Sequence, residues 1–435
     1  MRILKISFTF ILISLLLTFM SLGKEKETIN YKFDKNSDLS MYIATDIHYL
    51  SDKLTDNKSA FDKYVTAGDG KQLFYINEIF DAFTDTIKNN KPNILILSGD
   101  LTNNGELESH IDLTKKLSAI EESGTKVYVI PGNHDISNPW ARKFVEDKQQ
   151  VTDSINEDEF RNMYSYFGFD NAVLEDDDSL SYLATPSEKV WLLMLDTNNY
   201  KTNTTLGYPK MEGSISKSTL KWIEKCISLA NEQGAKIIPV MHHSIMNHND
   251  VYYNGYTLDD NNKLIEVFKN NNIDFVLSGH VHIQNIALNK DNNNNLYDIA
   301  TGSLAVYPHK FGQLNYTGND NNFVYNTSTV EVSDKVLNNF DEYSRDFFGD
   351  SIYNMYYKKL SKYENLSDEN IDLMAKTMRT LNSNYYAGID NNLSDESFNH
   401  EDFSLLLKYS NDFLKNYINS ITTPSNIDNN YLEIN

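Results

Sequence analysis

The hydrophobic residues of this chain form two kinds of segment, which alternate from about residue 40 to residue 330. Continuous apolar runs of about five residues predict strands that are covered on both faces. Apolar residues at helical spacing, such as Leu73, Ile76, Phe80, Phe83 and Ile87, predict amphipathic helices between these strands. Alternating strands and helices predict an α/β layered domain. The strand-like runs are Met41–Thr45, Asn93–Leu97, Lys126–Ile130, Val190–Leu195, Lys236–Val240 and Ile273–Leu277.

Two further patterns follow toward the end of the chain. Ile283–Leu288, Leu296–Thr301 and Phe323–Val332 predict antiparallel strands, with a hairpin turn at Asp291–Asn295 between the first two. After about residue 333 the pattern is helical only, and Ser367 has the position of a helix N-cap. We therefore predict a small all-helical C-terminal domain. Its apolar stripes are Leu337, Phe340 and Phe347; Ile371, Met374, Met378 and Leu381; and Phe403, Leu406, Ser410, Phe413 and Tyr417.

The N-terminal segment differs from the rest of the chain. Arg2 and Lys5 precede an uncharged apolar run, and Ser21-Leu22-Gly23 places small residues where a signal peptidase cuts. This pattern predicts a secretory signal and a secreted or extracytoplasmic protein. The run is nearly long enough to remain as a membrane anchor, so surface attachment is the alternative. The predicted organisation is residues 1–23 signal peptide, 24–39 linker, 40–332 catalytic domain and 333–435 helical domain.

The composition of the chain limits which partners and which kinds of stabilising bond are expected. The 435 residues carry a formal net charge of −22, and such a surface disfavours long DNA or RNA as a partner. Bound metal ions could still reverse the field locally for a small phosphate ester. The single cysteine, Cys226, allows no intrachain disulfide and lies in a helical pattern that predicts packing. No sequence feature predicts a protein partner.

Five short polar motifs follow predicted strands in order along the chain. The carboxyl ends of strands in α/β sheets are where ligands and catalytic groups gather. Carboxylate, amide and imidazole groups together, without thiolates, suit Mn²⁺, Fe or Zn²⁺ rather than a structural zinc site. Six of the ten histidines lie in these motifs. The motifs are Asp46-Ile47-His48, Gly99-Asp100, Gly132-Asn133-His134-Asp135, Met241-His242-His243 and Gly279-His280-Val281-His282.

Each motif has a simpler interpretation when taken alone. Asp46 could cap a turn, Gly99-Asp100 is ordinary turn chemistry, and His242-His243 could be a buried histidine pair. The full ordered series is specific, and it resembles the calcineurin-like metallophosphoesterase superfamily over about residues 40–310. The resemblance implies a sandwich of two sheets flanked by helices that holds two divalent ions, Mn²⁺ and/or Fe, with Zn²⁺ as an alternative.

The resemblance also implies roles for individual residues. The first metal would be bound by Asp46, His48, Asp100 and His282. The second would be bound by Asp100, Asn133, His242 and His280, with Asp100 bridging and His243 as the alternative to His242. The substrate phosphate would face His48, Asn133, His134 and His282.

The implied reaction is hydrolysis of a phosphate ester by a hydroxide that bridges the two metals. His134 is the motif histidine that the family does not use as a ligand. We expect it to protonate or hydrogen-bond the leaving oxygen, with Asp135 orienting its ring and favouring the imidazolium. A turn carboxylate that only stabilises its loop is the alternative role of Asp135.

Within the superfamily, the exported catalytic domain with a helical C-terminal domain resembles bacterial cyclic nucleotide phosphodiesterases. The expected substrate is therefore a small phosphodiester, such as a cyclic nucleotide. Asn103 stands where purple acid phosphatases have a tyrosine ligand, so an iron–tyrosinate chromophore is not expected. The alternatives are a phosphomonoesterase and a non-catalytic surface-binding protein on the same fold. Tyrosines of the helical region could stack on a base or a sugar, although packing is their commoner use.

Overall fold

The computed structural model describes residues 31–33, 38–290, 294–363, 366–391, 393 and 399–434. The predicted secretory segment lies outside the described residues, as do residues 291–293 of the predicted hairpin turn. Within the described ranges, no helix combines the length and the apolar character needed to cross a membrane.

The strands form two large sheets and one hairpin. The first sheet has six strands in the order β15-β14-β13-β1-β2-β3, and the second has seven in the order β11-β12-β10-β9-β8-β7-β6. Strands β4 and β5 pair separately. Their bounds are β1 Leu39–Ala44, β2 Ile94–Ser98, β3 Lys126–Ile130, β4 Arg142–Val145, β5 Lys148–Val151, β6 Ala172–Glu175, β7 Tyr182–Ala184, β8 Val190–Leu195, β9 Lys236–Met241, β10 Phe275–Ser278, β11 Asn285–Asn289, β12 Leu296–Ala300, β13 Lys310–Thr317, β14 Asn322–Thr329 and β15 Tyr431–Ile434.

The helices lie between strands in the first part of the chain and follow one another in the last part. Gly234 ends α6 with a left-handed backbone at φ 67°, a conformation that glycine adopts without strain. The bounds are α1 Ser59–Thr66, α2 Ile76–Asn90, α3 Leu107–Glu122, α4 Glu157–Met163, α5 Asn203–Leu206, α6 Lys217–Gln233, α7 Asn262–Asn270, α8 Phe340–Leu360, α9 Asp368–Tyr386, α10 His400–Tyr409 and α11 Asp412–Thr422, with 3-10 turns at Asp52–Leu54, Leu73–Tyr75, Phe169–Asn171 and Tyr200–Thr202.

Strand β8 shows how the layers are built from the sequence. All six of its residues are buried, which explains the continuous apolar run. Because successive side chains point to opposite faces, Val190, Leu192 and Met194 join the core between the two sheets. The alternate residues Trp191, Leu193 and Leu195 pack with Cys226 and the rest of α6 on the outer face. The predicted fold class, a two-sheet sandwich flanked by helices, is confirmed.

The C-terminal region is helical, as predicted, and has a core of its own. Residues of α8, α9, α10 and α11 form one buried cluster, which also includes Val306 from the loop before β13. The stripe from Phe403 to Tyr417 is divided between two helices, because Ser410 is extended and Asn411 caps α11 by accepting from Leu414 N.

The chain then returns to the first sheet, where β15 pairs antiparallel with β14. The sequence analysis did not anticipate this strand. Its side chains alternate between exposed and buried, with Leu432 and Ile434 in the main core.

Candidate metal centre

The five motifs converge where the carboxyl ends of strands from both sheets meet. The Asp46 amide donates to the Gly99 carbonyl at 3.0 Å, which joins the loops after β1 and β2. The Gly279 amide donates to the His242 carbonyl at 3.0 Å, which joins the loops after β10 and β9. His242 Nδ1 lies 3.0 Å from the Ser98 carbonyl, across the gap between the sheets. The two sheets thus bring all the motif loops to one place.

Most of the motif side chains reach the cluster from an unusual backbone conformation. Asp46, His48, Asp100, His280 and His282 all have a left-handed backbone, with φ between 46° and 69°. This region is uncommon for residues other than glycine, and such strain clusters at functional sites. A left-handed residue at each end of D-x-H and H-x-H turns both side chains toward one point, whereas an extended segment would separate them.

Three glycines are required by close approach of the backbone. A Cβ at Gly99 would collide with the ring of His242, and a Cβ at Gly132 would collide with the backbone and Oδ1 of Asp100. A Cβ at Gly279 would collide with Thr45 Oγ1. The motif glycines therefore provide space for the ligand side chains as well as tight turns.

The structure gathers the first predicted metal group as the motifs suggest. Potential ligand atoms of Asp46, His48, Asp100 and His282 all lie within 4.8 Å of one another. Asp46 Oδ1 is 3.3 Å from His282 Nε2, and the Nε2 atoms of His48 and His282 are 3.0 Å apart. His48, Asp46 and Asp100 are buried, and the His282 side chain is 16% exposed. This group faces outward only at His282.

The second predicted group shares Asp100 with the first. Ligand atoms of Asp100, His242 and His280 lie within 4.8 Å of one another. Asn133 Oδ1 is 3.1 Å from His242 Nε2. Asp100 Oδ1 is 3.5 Å from His242 Nε2, while its Oδ2 is 3.7 Å from Nε2 of His48 in the first group. The two oxygens of one carboxylate therefore face one histidine of each group.

Unpaired acceptor atoms show that these residues fit metal ions. Asp46 Oδ2 accepts from Thr45 Oγ1 and the His280 amide, but the buried Asp46 Oδ1 has no hydrogen-bond partner among the described residues. His242 can donate from Nδ1 to the Ser98 carbonyl, and then its Nε2 lone pair faces the Asn133 oxygen. Acceptor atoms that face each other in a buried site are stabilised by positive charge between them, which either a proton on Nε2 or a metal ion can supply.

The pKa shifts of the clustered residues also indicate that the site favours a cation. Burial lowers the pKa of His242, but the Asp100 and Asp46 carboxylates and the Ser98 carbonyl together raise it to about 9. Burial raises the pKa of Asp100, but the neighbouring histidines hold it well below its usual range. Positive charge is therefore stabilised within this cluster.

His242 and His243 are separated clearly by their contacts. His243 Nδ1 lies 2.7 Å from Thr197 Oγ1, and its Nε2 lies 2.9 Å from the Met211 carbonyl. Both ring nitrogens of His243 are therefore engaged away from the cluster. His242 is the histidine whose Nε2 faces Asp100 and Asn133.

His134 lies beside the first group, but its surroundings differ from those expected. Its ring is edge-on to the ring of His48, with centroids 5.1 Å apart. Its Nδ1 lies 3.0 Å from the Asn103 carbonyl and 2.9 Å from Asn104 Oδ1. Two acceptors at Nδ1 favour a proton there and leave Nε2 without a hydrogen bond to a described residue. Burial lowers the pKa of His134, so the ring is not held as an imidazolium.

Asp135 makes no hydrogen bond to the His134 ring, and it has the contacts of its alternative role, a carboxylate that stabilises its loop. Its carboxylate accepts from the amides of Leu101, Thr102 and Gly132 and from Thr102 Oγ1, at 2.8 to 3.0 Å. All four donors belong to the loops, and His134 is not among them. Asp135 instead fixes the loop after β2 against the loop after β3. Burial and the nearby Asp100 charge raise its pKa to about 7.

Two residues near the site were missed by the sequence analysis. Asn104 replaces Asp135 as the side chain that orients His134. Lys71, 13% exposed, lies 3.3 Å from Asp69, and its positive charge contributes to lowering the pKa of His48 and His134. Its strand-like pairing with Val306 places it beside the Asp46 loop, because the neighbouring Ala305 amide donates to the Asp46 carbonyl. Neither residue belongs to a motif with distinctive spacing.

Comparison with known proteins agrees with this geometry. Residues 39–284 match the family described as calcineurin-like phosphoesterase, and residues 327–428 match the C-terminal domain of cyclic nucleotide phosphodiesterase. A probable cyclic nucleotide phosphodiesterase of Ruthia magnifica subsp. Calyptogena magnifica is 26% identical over 208 residues. That match covers 48% of this chain and 66% of the relative, just under two thirds of its length.

Two solved structures are similar to this chain at low identity. A dimetal phosphatase from Danio rerio is 12% identical, with a TM-score of 0.47, and the match covers 68% of this chain and 99% of that one. A putative 5'-nucleotidase from Staphylococcus aureus is also 12% identical, with a TM-score of 0.31, and the match covers 72% of this chain and 58% of that one. With scores below 0.5, these likenesses add nothing to the assignment.

The resemblance inferred from the motifs is confirmed by the family matches, for the catalytic region and for the helical C-terminal region. The calcineurin-like phosphoesterase match alone covers more than half of the chain. The chain therefore belongs to the calcineurin-like phosphoesterase family.

Proposed function

We propose that this protein is a metal-dependent phosphodiesterase that hydrolyses cyclic nucleotides or similar small phosphodiesters. The observation that carries the proposal is the position of Asp100, whose two oxygens face one histidine of each ligand group. One carboxylate shared between two groups suits a dinuclear centre for phosphate-ester hydrolysis. The name of the Ruthia relative and the match of the C-terminal region support a cyclic nucleotide as substrate.

The residues divide into metal ligands and groups that act on the substrate. Asp46, His48, Asp100 and His282 would hold one ion, and Asp100, Asn133, His242 and His280 the other. When bound, two divalent cations supply positive charge to the phosphate oxygens and lower the pKa of a water molecule. Mn²⁺ and Fe suit this mixed oxygen and nitrogen ligand set, with Zn²⁺ as an alternative.

His134 is the group that we assign to the leaving oxygen. Its Nδ1 is fixed by Asn103 and Asn104, so its Nε2 is the nitrogen available to substrate. Burial lowers its pKa, but a bound phosphate brings negative charge that raises it again. In the complex His134 can thus take up a proton at Nε2 and deliver it to the departing alkoxide.

The test is a substrate panel with metal added back to stripped protein. We expect Mn²⁺ to restore hydrolysis of bis-p-nitrophenyl phosphate, and cyclic nucleotides to exceed nucleotide monoesters in kcat/KM. A strong preference for p-nitrophenyl phosphate would contradict the phosphodiesterase assignment and indicate a phosphomonoesterase. If no phosphate ester is hydrolysed in a metal-dependent reaction, the protein is instead a non-catalytic binding protein.

Lys71 favours the phosphomonoesterase as a second candidate. A monoester carries one more negative charge than a diester near neutral pH, and an ammonium group beside the centre would stabilise that charge. Substitution of Lys71 should therefore affect phosphate monoesters more than phosphate diesters.

We also propose that the protein acts outside the cytoplasm, on the basis of the N-terminal sequence pattern. N-terminal sequencing of the mature protein should begin at Lys24. An intact N-terminus on a membrane-bound protein would indicate an anchor, and an intact soluble protein in the cytoplasm would contradict export.

A further inference from the structure

A cavity of about 260 Å³ lies between the catalytic region and the C-terminal helices. We call it the tyrosine pocket, after the six tyrosines among its lining residues. Two come from the loop after β9 in the catalytic region, and four come from the C-terminal helices α8, α9 and α11, so neither part of the chain forms the pocket alone. The six are Tyr252, Tyr256, Tyr356, Tyr385, Tyr386 and Tyr417.

The tyrosine pocket adjoins the candidate metal centre. Val281, which stands between His280 and His282 in the chain, lines the pocket. The ring of Tyr256 lies 5.2 Å from the ring of His280, centroid to centroid. The Gly255 carbonyl, one residue before Tyr256, lies 3.0 Å from His280 Nε2. One wall of the pocket is therefore built from the loops that present the ligands.

The polar groups around the tyrosine pocket are mostly engaged within the protein. Tyr385 donates to the His248 carbonyl at 2.8 Å, and Tyr417 donates to Asn382 Oδ1 at 2.5 Å. Asn249 donates to Tyr385, and its oxygen accepts from two backbone amides. In contrast, the hydroxyls of Tyr252, Tyr256 and Tyr386 make no hydrogen bond to a described residue. The pocket offers ring faces and three uncommitted hydroxyls.

The charge of the lining selects among ligands. None of the described lining residues is Lys, Arg, Asp or Glu. The titratable base of the lining, His248, already has its Nε2 3.4 Å from Asp298 Oδ2, so a second phosphate or a carboxylate would find no uncompensated positive charge there. A neutral aromatic ring would find several aromatic partners. The volume is just below the range of about 300 to 1,000 Å³ for whole small-molecule sites. It suits one ring system of a ligand whose remainder lies outside.

We propose that the tyrosine pocket binds the nucleobase of a nucleotide whose phosphate lies at the metal centre. This inference rests on the proposed function and makes the C-terminal helices part of the substrate site. Because stacking on tyrosine suits every base and the nearby amides are committed, the pocket selects nucleotides over base-free esters and discriminates little between purines.

The test compares ligands with and without a base on the manganese-loaded full-length chain. Isothermal titration calorimetry gives Kd for adenosine 5′-monophosphate and for ribose 5-phosphate. We expect the nucleotide to bind about 5- to 100-fold more tightly, the range set by stacking of one base. Adenosine against ribose provides a second comparison that requires neither phosphate nor metal.

Variants of the lining residues test whether the preference for ligands with a base comes from the tyrosine pocket. Tyr386→Leu should bring the ratio of the two Kd values close to one, and Tyr386→Phe should keep most of it. Tyr353→Leu is the matched control, because Tyr353 lies on α8 outside the pocket and bonds to Asp372. If Tyr386→Leu does not fold, Tyr252→Ala replaces it, since Tyr252 is 42% exposed.

The outcomes separate this inference from the proposed function. Equal affinity for ligands with and without a base in the wild-type protein would overturn the inference, and so would an unchanged ratio in the folded Tyr386→Leu variant. A phosphomonoesterase that still prefers adenosine 5′-monophosphate would contradict only the proposed function. Tight binding of adenosine by a protein that hydrolyses no phosphate ester would likewise contradict only the proposed function.

Discussion

Nδ1 of His134 lies 2.9 Å from Oδ1 of Asn104, so an amide side chain, and not a carboxylate, orients this ring. An amide oxygen fixes the tautomer without adding negative charge, and it leaves the imidazole neutral in its buried position. Asn138 donates to the same oxygen at 3.3 Å and to the His134 carbonyl at 2.9 Å, which fixes the pair further. The proton is therefore held on the side of the ring away from the leaving group.

Asn104→Ala should lower kcat about 10- to 100-fold and leave the metal content unchanged, because it frees the ring without removing a ligand. The measurements are steady-state kinetics and elemental analysis, with the pH profile as an added reading. The profile should shift, since without the Asn104 oxygen the proton is no longer fixed at Nδ1 and the ring can change its tautomer and orientation. A uniform loss of folded protein with an unchanged profile would assign Asn104 a structural role only.

His134→Ala should retain the metal ions and lose about 10²- to 10⁴-fold in kcat on poor leaving groups, which is the usual contribution of a general acid. The loss should be smaller for p-nitrophenolate, which departs readily without a proton. Comparison of cyclic nucleotide and bis-p-nitrophenyl phosphate turnover in the same variant measures this difference. Turnover equal to wild type on both substrates would refute the role.

His242→Gln and His243→Gln form a matched pair for the metal ligands. We expect His242→Gln to lose one of two metal equivalents and at least about 100-fold in turnover, since the displacement uses both ions. His243→Gln should keep both equivalents, because the nitrogens of His243 bond to Thr197 and Met211. Elemental analysis of both folded variants decides, and the reverse pattern would assign His243 as the ligand.

Lys71→Met should raise KM for a phosphate monoester about 10-fold and raise KM for a diester less. The monoester loses more because its additional negative charge is the one that the Lys71 ammonium would stabilise. Lys71→Arg should restore most of the affinity. Lys115, with a side chain that is 66% exposed on α3, provides the control substitution Lys115→Met. Equal effects on both substrate classes would exclude a role for Lys71 in selecting the monoester.

Glu106→Gln should change how stability depends on pH. Burial raises the pKa of Glu106 from 4.5 to about 7, although its oxygens accept from Asn103 and Asn104. The folded chain therefore keeps a proton that the unfolded chain loses above pH 4.5, and stability falls as pH rises from there to about 7.

The Glu106→Gln variant should not show this decrease in the free energy of unfolding, which is on the order of 3 kcal/mol for a pKa shift of this size. Urea unfolding of wild type and Glu106→Gln at pH 5 and pH 8 gives the difference between them. A difference that does not change with pH would show that Glu106 ionises normally in the fold.

The sequence predicted the strands that are buried on both faces, because these strands carry their own signal, whereas it did not predict β4, β5, β6, β7, β13 and β15. Strands buried on both faces must be continuously apolar, so β2 and β8 stand out from any neighbouring segment. The exposed hairpin β4–β5 was missed for the converse reason, since β5 has no buried residue to mark it. Strand β15 was missed because four alternating residues are too few to distinguish from a loop.

Sequence alone also determined the chemistry of the motif residues and their order along the chain, because residue types and spacing are local properties. Only the tertiary structure decided which nitrogen of which histidine faces the cluster, since the sequence does not show which of the adjacent His242 and His243 points inward. It also decided that Asn104 orients His134, that Asp135 bonds to the loops, and that the C-terminal helices complete a pocket. Each of these depends on contacts between segments far apart in the chain, and only folding brings such segments together.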